Sequence, residues 1–302
     1  MNPRALRVAC LIVAMTAVVH AQERKKNPTS KFFVADLNGD AQVDTGREVS
    51  DLTKKSVYNA EGTVVETKPN SNYAMVYSNG TGAYFDPNTR VEIKEFSQEP
   101  FRPNRTDMDV EPSVSQTQAY VSHGSVGLCL SKLVAGSSMT YSTPQGSVTI
   151  QGRKIVIDVS DGRTTFSMIE GDSTVQGGDS AAGHMLHDGQ QAVITAGPAG
   201  QPPTVTVQNI PGNQKAHIED KVSAACVARR TVYFEVVGRK GGGGGSDADG
   251  AAGSVFEGAA ANAGVNGASF DSVSQQIIAV PVVPSNLPTS TTVSPAFLPG
   301  SE

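Results

Sequence analysis

Residues 62–195 form a ladder of short segments in which apolar and polar residues alternate, each cut off from the next by Gly, Asn, Asp or Pro. A period of two places successive side chains on opposite faces of an extended strand, so such segments bury one face of a sheet, not one side of a helix. Ile155, Ile157 and Val159 share a face, as do Val148 and Ile150, and Tyr73, Met75 and Tyr77; Val91 and Ile93 alternate with the charges of Arg90, Glu92 and Lys94. The breaks carry turn chemistry. Asn79-Gly80 predicts a tight hairpin using positive φ values, and Asp161-Gly162 and Asp188-Gly189 predict further turns. Turn signals at intervals of about 8–12 residues predict an all-β domain, solenoid-like or sandwich-like, over any α/β fold.

One helix is expected, over residues 213–230, where Ile218, Val222, Ala225, Cys226 and Val227 approximate helical spacing behind Pro211-Gly212. It should lie as a lid on the β body, followed by a last strand over 231–237. The β domain is placed at 28–198 and the helix with its terminal strand at 199–239. Beyond them the composition changes. Gly241 to Gly245 begin a Gly-rich stretch, and a Pro/Ser/Thr-rich segment follows, so 240–302 reads as a disordered tail with too little clustered apolar surface to offset ordering entropy. Its short apolar run Ile277-Ile278-Ala279-Val280 leaves open a docked, isolated strand.

At the N-terminus Arg4 and Arg7 precede an apolar run from Val8 to Val19, and Val19-His20-Ala21 suits signal peptidase. Residues 1–21 therefore read as a signal peptide, since the run is shorter than the roughly 20 residues of a membrane span. Cys10 lies inside the run and not after it, which argues against lipidation. Cleavage would leave 22 basic against 29 acidic residues, an acidic balance that lacks the basic footprint of a nucleic-acid binder. The Arg24-Lys25-Lys26 cluster is too short to alter this. Two cysteines would remain, Cys129 and Cys226. In an exported chain they permit one disulfide, with a pair of separate buried thiols as the alternative; a helix turning Cys226 toward the β core would bring the two together.

The clusters that could carry chemistry are weak. Asp36, Asn38, Asp40 and Asp44 have calcium-loop spacing, but Ala41 stands where the sharp turn wants Gly and Arg47 where a bidentate acid belongs. Asn38-Gly39-Asp40 is instead expected to be a hairpin turn between the first two strands. His184 and His187 lack a Cys or acid pair to complete a metal set. His123 and Ser125 lack the G-x-S-x-G elbow, and no helix is expected after them. Asp158, Asp161, Glu170 and Asp172 read as strand-end and turn acids, not as a general acid and base. The glycine run is followed by no Gly-Lys-Ser/Thr, so it is not a phosphate loop. No catalytic, cofactor or metal residue is therefore assigned.

The ordered succession Gly62-Thr63-Val64-Val65-Glu66-Thr67, Val76-Tyr77-Ser78-Asn79-Gly80-Thr81 and Pro87-Asn88-Thr89-Arg90-Val91-Glu92-Ile93 resembles the FecR domain family. The likeness continues through Glu111-Pro112-Ser113-Val114-Ser115-Gln116-Thr117, His123-Gly124, Leu133, Thr143-Pro144, Gln151-Gly152 and Asp188-Gly189-Gln190. Gln151-Gly152-Arg153-Lys154 departs from the family, which commonly has a Gly-Thr pair there. The resemblance implies a β-rich domain at the periplasm or cell surface, in the stand-alone exported form with a signal peptide. Founding members pass a signal from an outer-membrane transporter through a membrane helix to a sigma-factor-binding segment. With no such segment ahead of the apolar run, anti-sigma activity is not expected here. The expected function is non-enzymatic protein binding or signal reception, with an envelope protein as partner and no stable membrane span after cleavage. The alternative is a structural or adhesive surface component.

Overall fold

The computed structural model describes residues 30–101, 108–180, 182–238 and 275–281. The body is two sheets face to face. One runs, edge to edge, β4 (Val57–Asn59), β1 (Lys31–Asn38), β6 (Asn72–Tyr77), β7 (Gly82–Phe85), the second half of β9 (Ser115–Cys129), β12 (Lys154–Ser160), β13 (Arg163–Glu170), β16 (Gln190–Thr195) and β17 (Thr204–Asn209). The other runs β3 (Val49–Asp51), β2 (Ala41–Asp44), β5 (Thr63–Thr67), β8 (Arg90–Gln98), the first half of β9, β10 (Ser138–Ser142), β11 (Ser147–Ile150), β14 (Ser173–Gln176) and β15 (His184–Leu186). Every ladder between these strands is antiparallel except β9 with β10. The chain steps back and forth between the layers while advancing along both, so the body is sandwich-like in section and solenoid-like in progression.

Strand β9 joins the two sheets. Its residues up to His123 pair with β8, and from Gly124 onward they pair with β12. Gly124 is the pivot: its φ is +91°, and a Cβ there would lie 2.4 Å from Thr89 Cα. Only glycine accepts both conditions without strain.

A single core fills the space between the layers. Phe32, Tyr73, Met75, Tyr77, Phe85, Leu128, Ile155, Ile157 and Phe166 meet Val65, Val91, Ile93, Phe96, Met139, Tyr141, Val148 and Ile150 from the opposite sheet. The faces expected for Tyr73, Met75 and Tyr77 and for Ile155, Ile157 and Val159 are those that point inward. The tyrosine hydroxyls are not stranded. Tyr77 and Tyr141 share a hydrogen bond of 3.4 Å across the sandwich, so each polar tip meets another where water cannot reach.

The first sheet is buried on its outer face as well. Helix α1 (Gly212–Arg229) lies there, within a residue of its expected span. It covers Val156 with Ile218 and Val222, while Phe33, Ala74 and Val76 pack with Ala228, Val232 and Phe234. The continuous apolar runs 32–34, 73–77 and 155–157 are the signature of strands buried on both sides. Val227, expected on the packed face, is 63% exposed.

Three local expectations are corrected. Asn38-Gly39-Asp40 is not a hairpin, because β1 and β2 belong to different sheets; it is a corner, with Gly39 at φ +80°. At Asn79-Gly80, between β6 and β7, only Gly80 takes a positive φ, +86°. Asn79 is instead buried, accepting the Thr81 N–H at 3.0 Å and donating to Ser115 Oγ at 3.1 Å. The terminal strand β18 (Val232–Gly238) joins neither sheet; it pairs with β19 (Gln275–Pro281). That strand lies within 240–302, read from sequence as a disordered tail. The alternative of a strand around Ile277–Val280 is the one observed, and the rest of the tail lies outside the described residues.

Candidate functional site

Helix α1 is drawn unusually close to the sheet. Gly82 in β7 and Gly127 in β9 lie beneath it, where a Cβ would sit 2.1 Å from Ala225 O and 2.9 Å from Lys221 C, respectively. Both glycines have ordinary strand φ, so clearance alone requires them. Cys129, two residues beyond Gly127 on the same face, is joined to Cys226 by a disulfide across 97 residues of chain.

Two cations lie inside the helix's apolar stripe. Lys221, 6% exposed, places Nζ 2.8 Å from Asp86 Oδ2 and 2.9 Å from Asp158 Oδ1, and donates to Ser125 Oγ at 2.6 Å. Burial pushes the Lys221 ammonium down, but Asp158 and Asp86 together outweigh it and hold the group above its ordinary value. Arg229 donates to Gly80 O at 3.1 Å, Ser131 Oγ at 3.2 Å and Met108 O, and pairs with Asp109 at 3.2 Å. A lysine kept protonated by two carboxylates is a clamp and a poor nucleophile. Sequence reasoning passed over both residues. The signal lay in the spacing of Ile218, Lys221, Val222, Ala225, Ala228 and Arg229, which puts the two cations on the helix's buried side.

The residues weighed for chemistry are dispersed. Asp36 pairs with Lys54 at the surface, and Asp44 accepts the Gly46 N–H at 2.8 Å. His184 begins the edge strand β15, while His187 Nδ1 lies 2.7 Å from Asp172 Oδ1. His123 contacts Ser122 Oγ at 3.2 Å, and Ser125 serves the lysine clamp. Asp158 belongs to the same clamp, Glu170 pairs with Lys154, and Asp161 is exposed in its turn. Among the described residues no group of three His, Cys, Asp or Glu is arranged to hold a metal. Gly241 to Gly245 lie outside them.

The sheets end in four edges. Strands β3, β4 and β15 are three residues each, whereas β17 has six, Thr204 to Asn209, and among the described residues pairs only with β16. Its side chains Thr-Val-Thr-Val-Gln-Asn carry no charge, and Val207 is 37% exposed. Natural edges are usually guarded by shortness, charge or proline, and here only the flanks are, by Pro202-Pro203 and Pro211. An open groove of about 490 Å³ lies at the start of β17, lined by Gly178, Asp179, Ser180, His184, Pro203 and Val205. Strand β17 was not among the expected strands, although alternating Thr and Val after two prolines is a readable signal.

Among the described residues no helix is long and apolar enough to cross a membrane. No protein-family model matches the chain, and no curated protein matches it. Two crystal structures of a candidate anti-sigma factor from Parabacteroides distasonis, at 2.50 Å and 1.65 Å, are similar at 12% identity with TM-scores of 0.38 and 0.37. The match covers 51% of this chain and 62% of theirs, less than two thirds of their length. At those scores neither a family, an activity nor a site residue is carried across.

Proposed function

We propose that this chain is an exported, non-enzymatic FecR-like domain that binds a partner protein at the cell envelope, periplasmic or surface-exposed, and that the partner adds a strand to β17. The observation that carries this reading is the six-residue, uncharged edge of β17 beside an open groove, while the other three edges are half its length. A free edge offers unpaired N–H and C=O groups that a second chain can satisfy, and alternate side chains then give specificity. Because β17 lacks charge, the complementary segment is an extended one rich in β-branched or aromatic residues, without lysine at its centre. Strand β17 is paired with β16 along its whole length, so the edge is presented ready-formed and less ordering entropy opposes binding.

The test is a peptide-display selection against the wild-type chain, repeated against a Thr206→Lys/Gln208→Lys variant in which charges guard the edge. Expected are enriched peptides with apolar residues at every second position that lose binding at least tenfold on the guarded variant. Peptides that bind both proteins equally would overturn the proposal.

A further inference from the structure

We propose that β19 is an exchangeable strand: Gln275–Pro281 of one copy pairs with β18 of a second copy, giving strand-linked assemblies of this chain. The two strands form their own sheet, in register from Val232 opposite Pro281 to Gly238 opposite Gln275, apart from the body's sheets. A lone pair of strands is marginal in water, so each depends on what else holds it. The two are held unequally. Strand β18 follows directly on α1, with the Thr231 N–H bonded to Ala228 O at 2.9 Å, and it buries Val232 and Phe234 against Phe33, Ala74, Val76 and Ala228. Strand β19 has no such covalent tie to the helix; of its described side chains Ala279 packs against the same cluster, partly buried. Strand β18 is the fixed acceptor and β19 the donor.

The connection between them is the second observation. Gly238 and Gln275 stand opposite each other, a gap that a hairpin closes with 2–5 residues, yet residues 239–274, 36 in all, join them. Relative to a four-residue turn, a loop of that length lowers the local concentration of the donor roughly 30-fold. The same length reaches up to roughly 120 Å when extended, enough to meet a neighbouring body. A second copy's β19 has the same sequence and makes the same ladder, so exchange needs no new contact and is governed by concentration.

The test uses the full chain carrying Tyr233→Cys mixed with the full chain carrying Val280→Cys, positions that are register partners. The mixture is equilibrated in a glutathione buffer and read on non-reducing gels. Expected is a covalent heterodimer well above that from Val280→Cys mixed with Lys215→Cys, a site exposed on α1. Removing residues 243–272 from both chains strengthens pairing within each chain, and is expected to cut the heterodimer roughly 15-fold. A yield equal to the control, or one unaffected by the deletion, overturns the proposal. So does failure of a single chain with both cysteines to form its internal link, because the β18–β19 ladder would then be absent.

Discussion

Lys221 Nζ and Asp158 Oδ1 lie 2.9 Å apart, joining the middle of α1 to the outer face of β12 across 63 residues of chain. With Asp86 on the other side, the lysine is the counter-charge of two carboxylates. Lys221→Met leaves these acids facing each other without it, and is expected to cost about 2–4 kcal/mol, discounted from the roughly 3–5 kcal/mol of a broken, fully buried pair because Asp158 is partly exposed. The folded-state value of Lys221 is raised, so this stability is fully present below the unfolded lysine value of about 10.4 and is lost as pH climbs through the folded one. Urea unfolding at pH 7 and pH 11 should show the wild-type advantage shrinking at the higher pH. An advantage that is unchanged or larger there contradicts the clamp.

The disulfide acts on the same interface. A closed loop of about 100 residues predicts roughly 4–5 kcal/mol from chain entropy alone, and Cys129 to Cys226 spans 97. Cys129→Ala/Cys226→Ala is expected to lower stability by about 3–4 kcal/mol while the β signal in circular dichroism persists, since the core between the sheets contains neither cysteine. A loss below about 1 kcal/mol would mean that the bridge does not constrain the unfolded chain.

Clearance under the helix gives the sharpest local prediction. Gly82→Ala puts a methyl group against Ala225 O, a backbone atom that moves only if the helix moves. A cost of at least about 1–3 kcal/mol is expected, as for overpacking. Gly189→Ala serves as the comparison: no atom lies within 4 Å of its Cβ position, so only its φ of +74° resists, at about 1–2 kcal/mol. Differential scanning calorimetry should rank Gly82→Ala as the worse; the reverse order would remove close approach as the reason for Gly82.

Much of this fold is legible in the sequence because period two reports burial directly. Ile155, Ile157 and Val159 face inward as the alternation requires, and the helix lies within a residue of its expected bounds. Sheet membership is not legible, because Asn38-Gly39-Asp40 has the same turn chemistry whether the chain folds back or crosses to the other layer. Local residues set a turn's φ values, while distant pairing decides where it leads. The clamp was hidden for a related reason: a lysine in an apolar helical stripe identifies a buried charge only once Asp86 and Asp158, from two other strands, are known to meet it.

Glu111 offers a test of the same sign in a lower pH window. Burial holds its carboxyl above the ordinary carboxylate range, more than the Ser115 hydroxyl, the Val134 N–H and the Ser137 hydroxyl pull it down. A raised acid binds its proton more tightly in the folded state, so its contribution is greatest below the unfolded value of about 4.3 and falls as pH rises through the folded one. Glu111→Gln should therefore gain stability relative to wild type between pH 4 and pH 7. Parallel thermal-unfolding curves for the two proteins over that interval would show that burial does not raise the Glu111 carboxyl.

The openness of β17 is the claim on which the recognition account stands, and amide hydrogen exchange of the free protein by NMR tests it without a partner. Between Val205 and Asn209, amides directed at β16 should exchange slowly and those directed outward rapidly, in strict alternation. Slow exchange at every one of these amides would mean that the edge is already paired or covered, and the account would be wrong.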